Sequence, residues 1–276
     1  MARHRRNGVI AVVILAALVG AAFGARALYR TAQSALSSSS CTVDGGYTVD
    51  TSQASVAAQM VGAVTKYRPP LPERAAVLVL AAGLQESKLT NLAPGAGDRD
   101  SVGVLQQRPS QGWGGGKAAR LTNVSEATRE FLNALVKVPH WRRLPLAQAV
   151  QDVQVSADGS AYAQHEPEAQ ALADALSGAR PAAISCDFSA PTVVAPARTV
   201  AREAGQQLGI DTPVASGRIV RVPGAGWQTA AWFVANADRL GIDRVAFAGQ
   251  TWSRGHGWKK TATSPDVVAT MYQLKK

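Results

Sequence analysis

The fold is decided by two neighbouring stretches, AGLQESKL at residues 82–89 and GDRDSVGVLQQ at residues 97–107. The first closes an Ala-, Val- and Leu-rich segment that starts at Glu73 and is apolar on most faces, which predicts a helix inside the core. Glu86 therefore lies at the carboxyl end of a buried helix. The second stretch belongs to a glycine-rich loop, residues 90–116, and loops of that length within a compact domain are usually functional.

A carboxyl group at the position of Glu86 is suited to acid–base chemistry. Burial disfavours the charged form of a carboxyl, and the negative end of the helix dipole acts in the same direction. A carboxylic acid that keeps its proton can protonate a glycosidic oxygen. Beside a polar loop that can hold sugar hydroxyls, Glu86 fits the cleavage of a glycan.

Helical spacing continues on both sides of these stretches. Residues 53–67 place apolar side chains at helical intervals before the Pro69-Pro70 stop, and further helices are predicted at residues 125–136, 146–155 and 166–176. The hydrophobic pattern changes in the last part of the chain, where it predicts a strand, a helix and a second strand. We therefore expect a mainly α domain over residues 52–188, a linker over residues 189–198 and a small α/β domain over residues 199–276.

The N-terminal 30 residues predict a membrane anchor. Residues 1–6 are basic and residues 8–25 are uncharged and apolar, which is long enough to cross a bilayer as a helix. Small residues around Ala25 also fit a signal-peptidase site, which would make the protein secreted. The basic N-terminus favours an orientation with the bulk of the chain outside the cytoplasm. Residues 31–51 are rich in Ser and Gly and are expected to form a flexible stalk.

The chain has two cysteines, Cys41 and Cys186. In an oxidising compartment two lone cysteines most simply pair with each other, and these two flank the predicted α domain. Two unrelated free thiols are the alternative. No pattern of Cys and His spacing predicts a metal site, and no cofactor is expected.

The formal net charge of +10 favours polyanionic surroundings. Half of that charge lies in the first 30 residues, where five arginines have no acidic neighbours. The chain contains no Lys/Arg-rich block with interleaved aromatic residues, so nucleic acid is not an expected partner. Anionic lipid and anionic wall polymer both fit the charge.

Glu86-Ser87 followed by SVGVLQ at residues 101–106 resembles the lysozyme-like superfamily, in its lytic transglycosylase and goose-type lysozyme branch. The longer run at residues 97–114 resembles a version found in exported actinobacterial cell-wall proteins. A third element of the family, an aromatic residue before the last helix, corresponds to Tyr162. The resemblance covers residues 52–176. It implies a mainly α lysozyme-like domain, here with an N-terminal transmembrane helix and a small C-terminal α/β domain.

The resemblance also implies roles for individual residues. Glu86 would act as general acid and then as general base, with Tyr162 orienting it. In a hydrolase a second group must position water, and Asp98 and Asp100 are candidates, although both also suit a plain turn. The candidates for substrate binding are Ser101, Gln106, Gln107, Trp113, Gln151 and Tyr162.

The expected function is cleavage of the β-1,4 bond between MurNAc and GlcNAc in peptidoglycan, outside the cytoplasm, by a membrane-anchored lytic transglycosylase or muramidase. The expected partners are glycan strands and the membrane. The alternative is a catalytically inactive module that binds the cell wall or serves an envelope assembly through protein contacts. The last part of the chain carries four of the six tryptophans and no recognisable catalytic pattern.

Overall fold

Helices form most of the first half of the fold. The computed structural model describes residues 39–155, 159–211 and 213–274. In the described part of the chain, seven helices come before the first strand of the larger of two sheets: α1 (Thr51–Lys66), α2 (Arg74–Ser87), α3 (Ala118–Leu121), α4 (Val124–Leu135), α5 (Leu146–Gln154), α6 (Glu166–Ser177) and α7 (Ala197–Leu208). Two more, α8 (Trp227–Ala235) and α9 (Ala237–Leu240), lie between its strands. Short 3-10 turns occupy Pro109–Gln111, Trp113–Gly116 and Gly159–His165.

Helix α2 lies at the centre of this arrangement. Every residue from Ala75 to Leu84 is buried, because α1, α4, α5 and α6 pack around the helix. An Ala-, Val- and Leu-rich helix needs such neighbours on all sides to remove its apolar surface from water. The helix predicted from the sequence at residues 73–86 is therefore present, with its bounds shifted by one residue.

A three-stranded antiparallel sheet closes one end of the helical layer. Its order is β2-β1-β3, with β1 at Ser40–Val43, β2 at Tyr47–Asp50 and β3 at Ile184–Asp187. Cys41 lies directly opposite Cys186 in the β1–β3 register, and the two form a disulfide. The predicted disulfide is confirmed. Part of the predicted stalk, residues 40–50, forms strands instead, because its alternating Cys41, Val43 and Val49 side chains are buried.

A six-stranded antiparallel sheet forms the second layer. Its order is β4-β5-β9-β6-β7-β8, with β4 at Val214–Ser216, β5 at Ile219–Val222, β6 at Ile242–Phe247, β7 at Gln250–Ser253, β8 at Gly257–Lys260 and β9 at Val267–Met271. Alternate residues of β5 and β9 are buried, as half-covered strands require. Helix α7 packs on β4 and β5, and α8 packs on β6 and β9.

The predicted fold class, a mainly α lysozyme-like domain with a separate small C-terminal α/β domain, is wrong. Residues 39–276 form one compact, mixed α/β unit. Helix α8 is buried along its length because it lies between the six-stranded sheet and helices α1 and α6. Polar contacts join the two predicted domains, since Ser55 Oγ donates to Asn236 Oδ1 at 2.7 Å and the neighbouring Thr51 Oγ1 donates to Asp238 Oδ2 at 2.6 Å.

The predicted transmembrane helix falls within residues 1–30, outside the described part of the chain. Among residues 39–155, 159–211 and 213–274, no helix has the length and apolar character needed to cross a bilayer.

Candidate active site

Glu86 lies in the last turn of α2 and is half-buried. The helix ends directly after it because Lys88 and Leu89 both adopt left-handed backbone conformations. Their amides donate back to the helix, from Lys88 N to Leu84 O at 3.0 Å and from Leu89 N to Gly83 O at 2.9 Å. The carboxyl group is thus held at a fixed helix end with one side towards solvent.

The hydroxyl of Tyr162 donates a hydrogen bond of 2.6 Å to Glu86 Oε1. Tyr162 is almost fully buried and belongs to the 3-10 turn Gly159–His165, which packs against α2. A short bond to a carboxylate is charge-assisted and stronger than a neutral one. The two residues that the sequence named separately are therefore brought into direct contact, and the buried phenol fixes the direction of the carboxyl group.

The residue after the candidate acid ties the glycine-rich loop to α2. Ser87 Oγ donates to Val104 O at 2.8 Å. Close approach of the loop also depends on Gly83, where a Cβ atom would lie 2.9 Å from Leu89 Cδ2 and 3.4 Å from Val104 Cγ2. The two neighbouring residues therefore have different roles. The half-buried Glu86 is available for chemistry, and Ser87 anchors the loop.

Two further contacts hold the loop in place. Gln154 of α5 donates from Nε2 to Leu105 O at 2.9 Å. Gly103 has a φ of +78°, and a Cβ there would collide with the Leu121 carbonyl oxygen, so only glycine fits this crossing. The loop is therefore held by α5 at Leu105 and passes close to α3 at Gly103.

Ser101 and Gln107 were predicted from the sequence to bind substrate, but both are buried inside the loop. Gln107 Nε2 donates to Ala127 O at 3.2 Å, which ties the loop to α4. Gln106 is half-buried and donates to Gly103 O at 2.8 Å, and Trp113 is half-buried against the core. Gln106 and Trp113 thus keep exposed surface that a ligand can contact, whereas Gln107 presents almost none.

Gln151 lies on α5 rather than on the glycine-rich loop. Its side chain packs against Gly159, where a Cβ atom would lie 2.8 Å from Gln151 Cγ. Gly159 begins the 3-10 turn that carries Tyr162. Gln151 therefore supports the turn that orients the candidate acid.

The two candidate second carboxylates are engaged elsewhere. Asp100 accepts from Ser110 N at 2.7 Å and from Arg108 Nε at 2.8 Å. The Ser110 backbone N–H, followed by the Arg108 guanidinium, holds the pKa of Asp100 well below its usual range. Asp98 is exposed and lies 3.8 Å from Arg99 Nε. Within the described residues neither carboxylate hydrogen-bonds to Glu86.

We expect Asp100→Asn to loosen the glycine-rich loop around Ser110. At pH 7 the Ser110 amide should exchange its hydrogen several-fold faster in the variant, measured by hydrogen exchange with mass spectrometry. Because the folded pKa of Asp100 is depressed, its stabilising contribution is present above the unfolded pKa of about 3.9 and declines as pH falls below it. The difference between wild type and variant should shrink accordingly. Asp98→Asn is the matched control, and equal Ser110 exchange in all three proteins would refute the Asp100 contact.

Sequence reasoning missed a polar cluster beside Glu86. Gln85 Oε1 accepts from Gln164 Nε2 at 3.2 Å and lies 2.9 Å from His165 Nε2. Burial lowers the pKa of His165, which favours the neutral ring as a donor to Gln85. No sequence pattern pointed to this cluster, because it depends on the 3-10 turn Gly159–His165, in which residues i and i+3 eclipse and place His165 on the same face as Tyr162.

The arrangement offers one half-buried carboxyl group with a buried phenolic donor and a polar loop held in place. In the described part of the chain no three His, Cys, Asp or Glu side chains come together in a way that could hold a metal ion. Comparisons with protein-family models and with curated proteins found no match to this chain. The chemistry of the site is therefore drawn from its own residues.

Proposed function

We propose that this protein cleaves the glycan strands of peptidoglycan, with Glu86 as the proton donor. The observation that carries this proposal is the Tyr162–Glu86 hydrogen bond of 2.6 Å, beside a loop that Ser87 ties to the same helix end. This contact joins the resemblance at Glu86-Ser87 to the resemblance at Tyr162, which lie 76 residues apart. A catalytic acid needs a fixed direction as well as a proton, and the buried phenol supplies that direction.

In the first step the Glu86 carboxylic acid donates its proton to the oxygen of the glycosidic bond. The bond between C1 of MurNAc and that oxygen breaks, GlcNAc leaves as an alcohol, and positive charge develops at C1. Glu86 becomes a carboxylate that faces this charge. The Tyr162 hydroxyl stabilises the carboxylate by donating to Oε1.

The second step favours an intramolecular route. Asp100 is bound to Ser110 and Arg108, and Asp98 lies beside Arg99, so both candidate carboxylates are engaged with groups other than Glu86 in the described part of the chain. The Glu86 carboxylate instead takes the proton from the 6-hydroxyl of the same MurNAc, whose oxygen then bonds to C1. The product is a 1,6-anhydro sugar, no water is consumed, and Glu86 regains its proton. This chemistry is that of a lytic transglycosylase.

The half-buried loop residues Gln106 and Trp113 are the groups we assign to sugar contact. A glutamine side chain can hydrogen-bond N-acetyl and hydroxyl groups, and an indole offers an apolar face to a sugar ring. Ser101 and Gln107 act on the substrate only through the loop, because both are buried.

We place this activity outside the cytoplasm, at the membrane if the N-terminal apolar segment is retained. The Cys41–Cys186 disulfide supports an oxidising compartment, since such bonds persist mainly outside the cytosol. Peptidoglycan lies in that compartment, and an anchor would confine cleavage to nearby wall.

The test of the proposal is release of soluble fragments from dye-labelled, purified peptidoglycan by the full chain. We expect release that grows with time and enzyme concentration. An absence of release, under conditions in which a known lysozyme solubilises the same material, would contradict cleavage and leave a wall-binding module.

We expect Tyr162→Phe to lower the turnover number by roughly 10- to 100-fold, because it removes one hydrogen bond to a charged catalytic group. The Michaelis constant should change little, since Tyr162 is buried and does not reach the substrate. Kinetics of fragment release measure both constants. Tyr47→Phe, in β2, is the matched control and should behave as wild type. A Tyr162→Phe enzyme with unchanged turnover would show that the phenol has no role in catalysis.

A further inference from the structure

A cleft of about 770 Å³ is lined by none of the residues of the sequence motifs. Two irregular segments form its walls, residues 67–71 after α1 and residues 136–143 after α4. We call this cavity the basic cleft. Its position was not predicted from the sequence, because neither segment has a recognisable motif.

The charged residues that line the basic cleft are all cationic. Lys137, Arg142 and Arg143 are exposed, and no carboxylate is among the lining residues. None of the three forms an ion pair within the described part of the chain, whereas seven of the other fourteen described arginines do. Several cations of one sign around a concave surface reinforce one another and raise the local concentration of anions.

The walls of the basic cleft are held in shape by Trp141 and Tyr67. Trp141 is almost fully buried, and the guanidinium of Arg142 lies 5.3 Å from its ring centroid. Tyr67 donates from its hydroxyl to Asn133 Oδ1 at 3.1 Å, which fixes the other wall to α4. A preformed site of this kind binds without first ordering its own backbone.

A second cavity, of about 610 Å³, adjoins the basic cleft. It shares Lys137, Val138 and Pro139 with the cleft and is also lined by Gln151, Asp152 and Val155 at the α5 end. Gln151 in turn packs against Gly159, which begins the turn that carries Tyr162. The two cavities therefore lead from the basic cleft to the residue that supports the Tyr162 turn.

We propose that the basic cleft binds the peptide carboxylates of the glycan strand that is cleaved at Glu86. This inference rests on the proposed function and adds the part of the substrate that is recognised. The sugar backbone of peptidoglycan carries few charges, whereas its peptides carry free carboxylates at regular intervals. Lys137 and the two arginines supply the complementary charge, so the protein should select strands that still bear peptides.

Binding is measured by co-sedimentation, with the full chain carrying Glu86→Gln so that the polymer is not degraded. Three substrates are compared: peptidoglycan stripped of phosphate-bearing polymers, the same glycan after its peptides have been removed, and peptide-free glycan that retains its phosphate polymers. At low salt we expect about tenfold tighter binding to the peptide-bearing material, because three exposed charge contacts together supply about that gain in affinity. Added salt should reduce this preference.

The triple change Lys137→Gln, Arg142→Gln and Arg143→Gln should remove the preference. The control triple, Arg198→Gln, Arg202→Gln and Lys259→Gln, removes the same charge from exposed positions outside both cavities and should retain it. Thermal unfolding of each variant checks that the fold is kept. Equal binding of the first two materials by the parent, or an unchanged preference in the cleft triple, would overturn the proposal. Preferential binding to peptide-free glycan that retains its phosphate polymers would overturn it in favour of a phosphate ligand.

The same proteins separate this inference from the proposed function. Lost preference in the cleft triple, together with no fragment release by the wild type, would leave the carboxylate site intact and refute cleavage alone. Fragment release with an unchanged preference in the cleft triple would refute the carboxylate site and leave cleavage intact.

Discussion

Replacing Glu86 by glutamine is expected to reduce the rate of glycan cleavage by about 10³-fold or more. Glutamine keeps the size of the side chain and an oxygen that can still accept from the Tyr162 hydroxyl, so the fold and the site geometry should persist. It has no proton to give to the glycosidic oxygen. Initial rates of fragment release from labelled peptidoglycan measure the effect directly.

Glu73→Gln is the matched control for this change. Glu73 lies at the opposite end of α2, where it is exposed. The control should retain full activity, and both variants should unfold at the wild-type temperature. Glycan cleavage by Glu86→Gln at more than about a tenth of the wild-type rate would assign proton donation to another group.

Removal of the disulfide by Cys41→Ala and Cys186→Ala is expected to lower the free energy of unfolding by about 3–5 kcal/mol. The bond joins residues 145 apart, and closing so long a loop strongly restricts the unfolded chain. It also fixes β1 to β3, and β3 contacts both α8 and β8. Guanidinium unfolding curves, read by tryptophan fluorescence, measure the loss.

The neighbouring cross-strand pair, Thr42 opposite Ser185, provides the control. Thr42→Ala with Ser185→Ala alters the same two strands without touching the covalent link and should cost less than about 1 kcal/mol. Reductant should bring the wild type to the stability of the cysteine variant and should not affect that variant. A cysteine variant as stable as wild type would show that the bond adds nothing to the fold.

Composition and periodicity predicted the local structure of this chain well around α2. Ten consecutive apolar or small residues, 75–84, can be buried only at the centre of a core, and the structure places them there. The predicted fold class was wrong for a physical reason. Helix α8 is apolar on all faces, and a single-sequence pattern does not reveal that α1 and α6 cover one side and a sheet the other.

The short strands β1 and β2 were missed because their polar surroundings are typical of a stalk. Only pairing across 145 residues to β3, reinforced by the disulfide, makes them strands. Such pairing is a long-range property. A four-residue segment carries too little periodicity to predict it.

The candidate site divides in the same way between local and long-range features. The resemblance implied that Tyr162 orients Glu86, and a hydrogen bond between the two side chains is observed. The sequence could not predict which polar side chains of the glycine-rich loop are buried and which keep exposed surface. Gln106 and Gln107 are neighbours, yet a positive φ at Gln106 turns the chain so that Gln107 is buried against α4.

The most direct test of the central claim is mass spectrometry of the soluble products that the full chain releases from purified peptidoglycan. Proton donation by Glu86 followed by intramolecular closure predicts disaccharide peptides ending in 1,6-anhydro-MurNAc from the wild type and none from Glu86→Gln. Products with ordinary reducing ends would contradict the intramolecular step and require water activation by another group. No products from the wild type, with a lysozyme digest of the same material as reference, would contradict glycan cleavage itself.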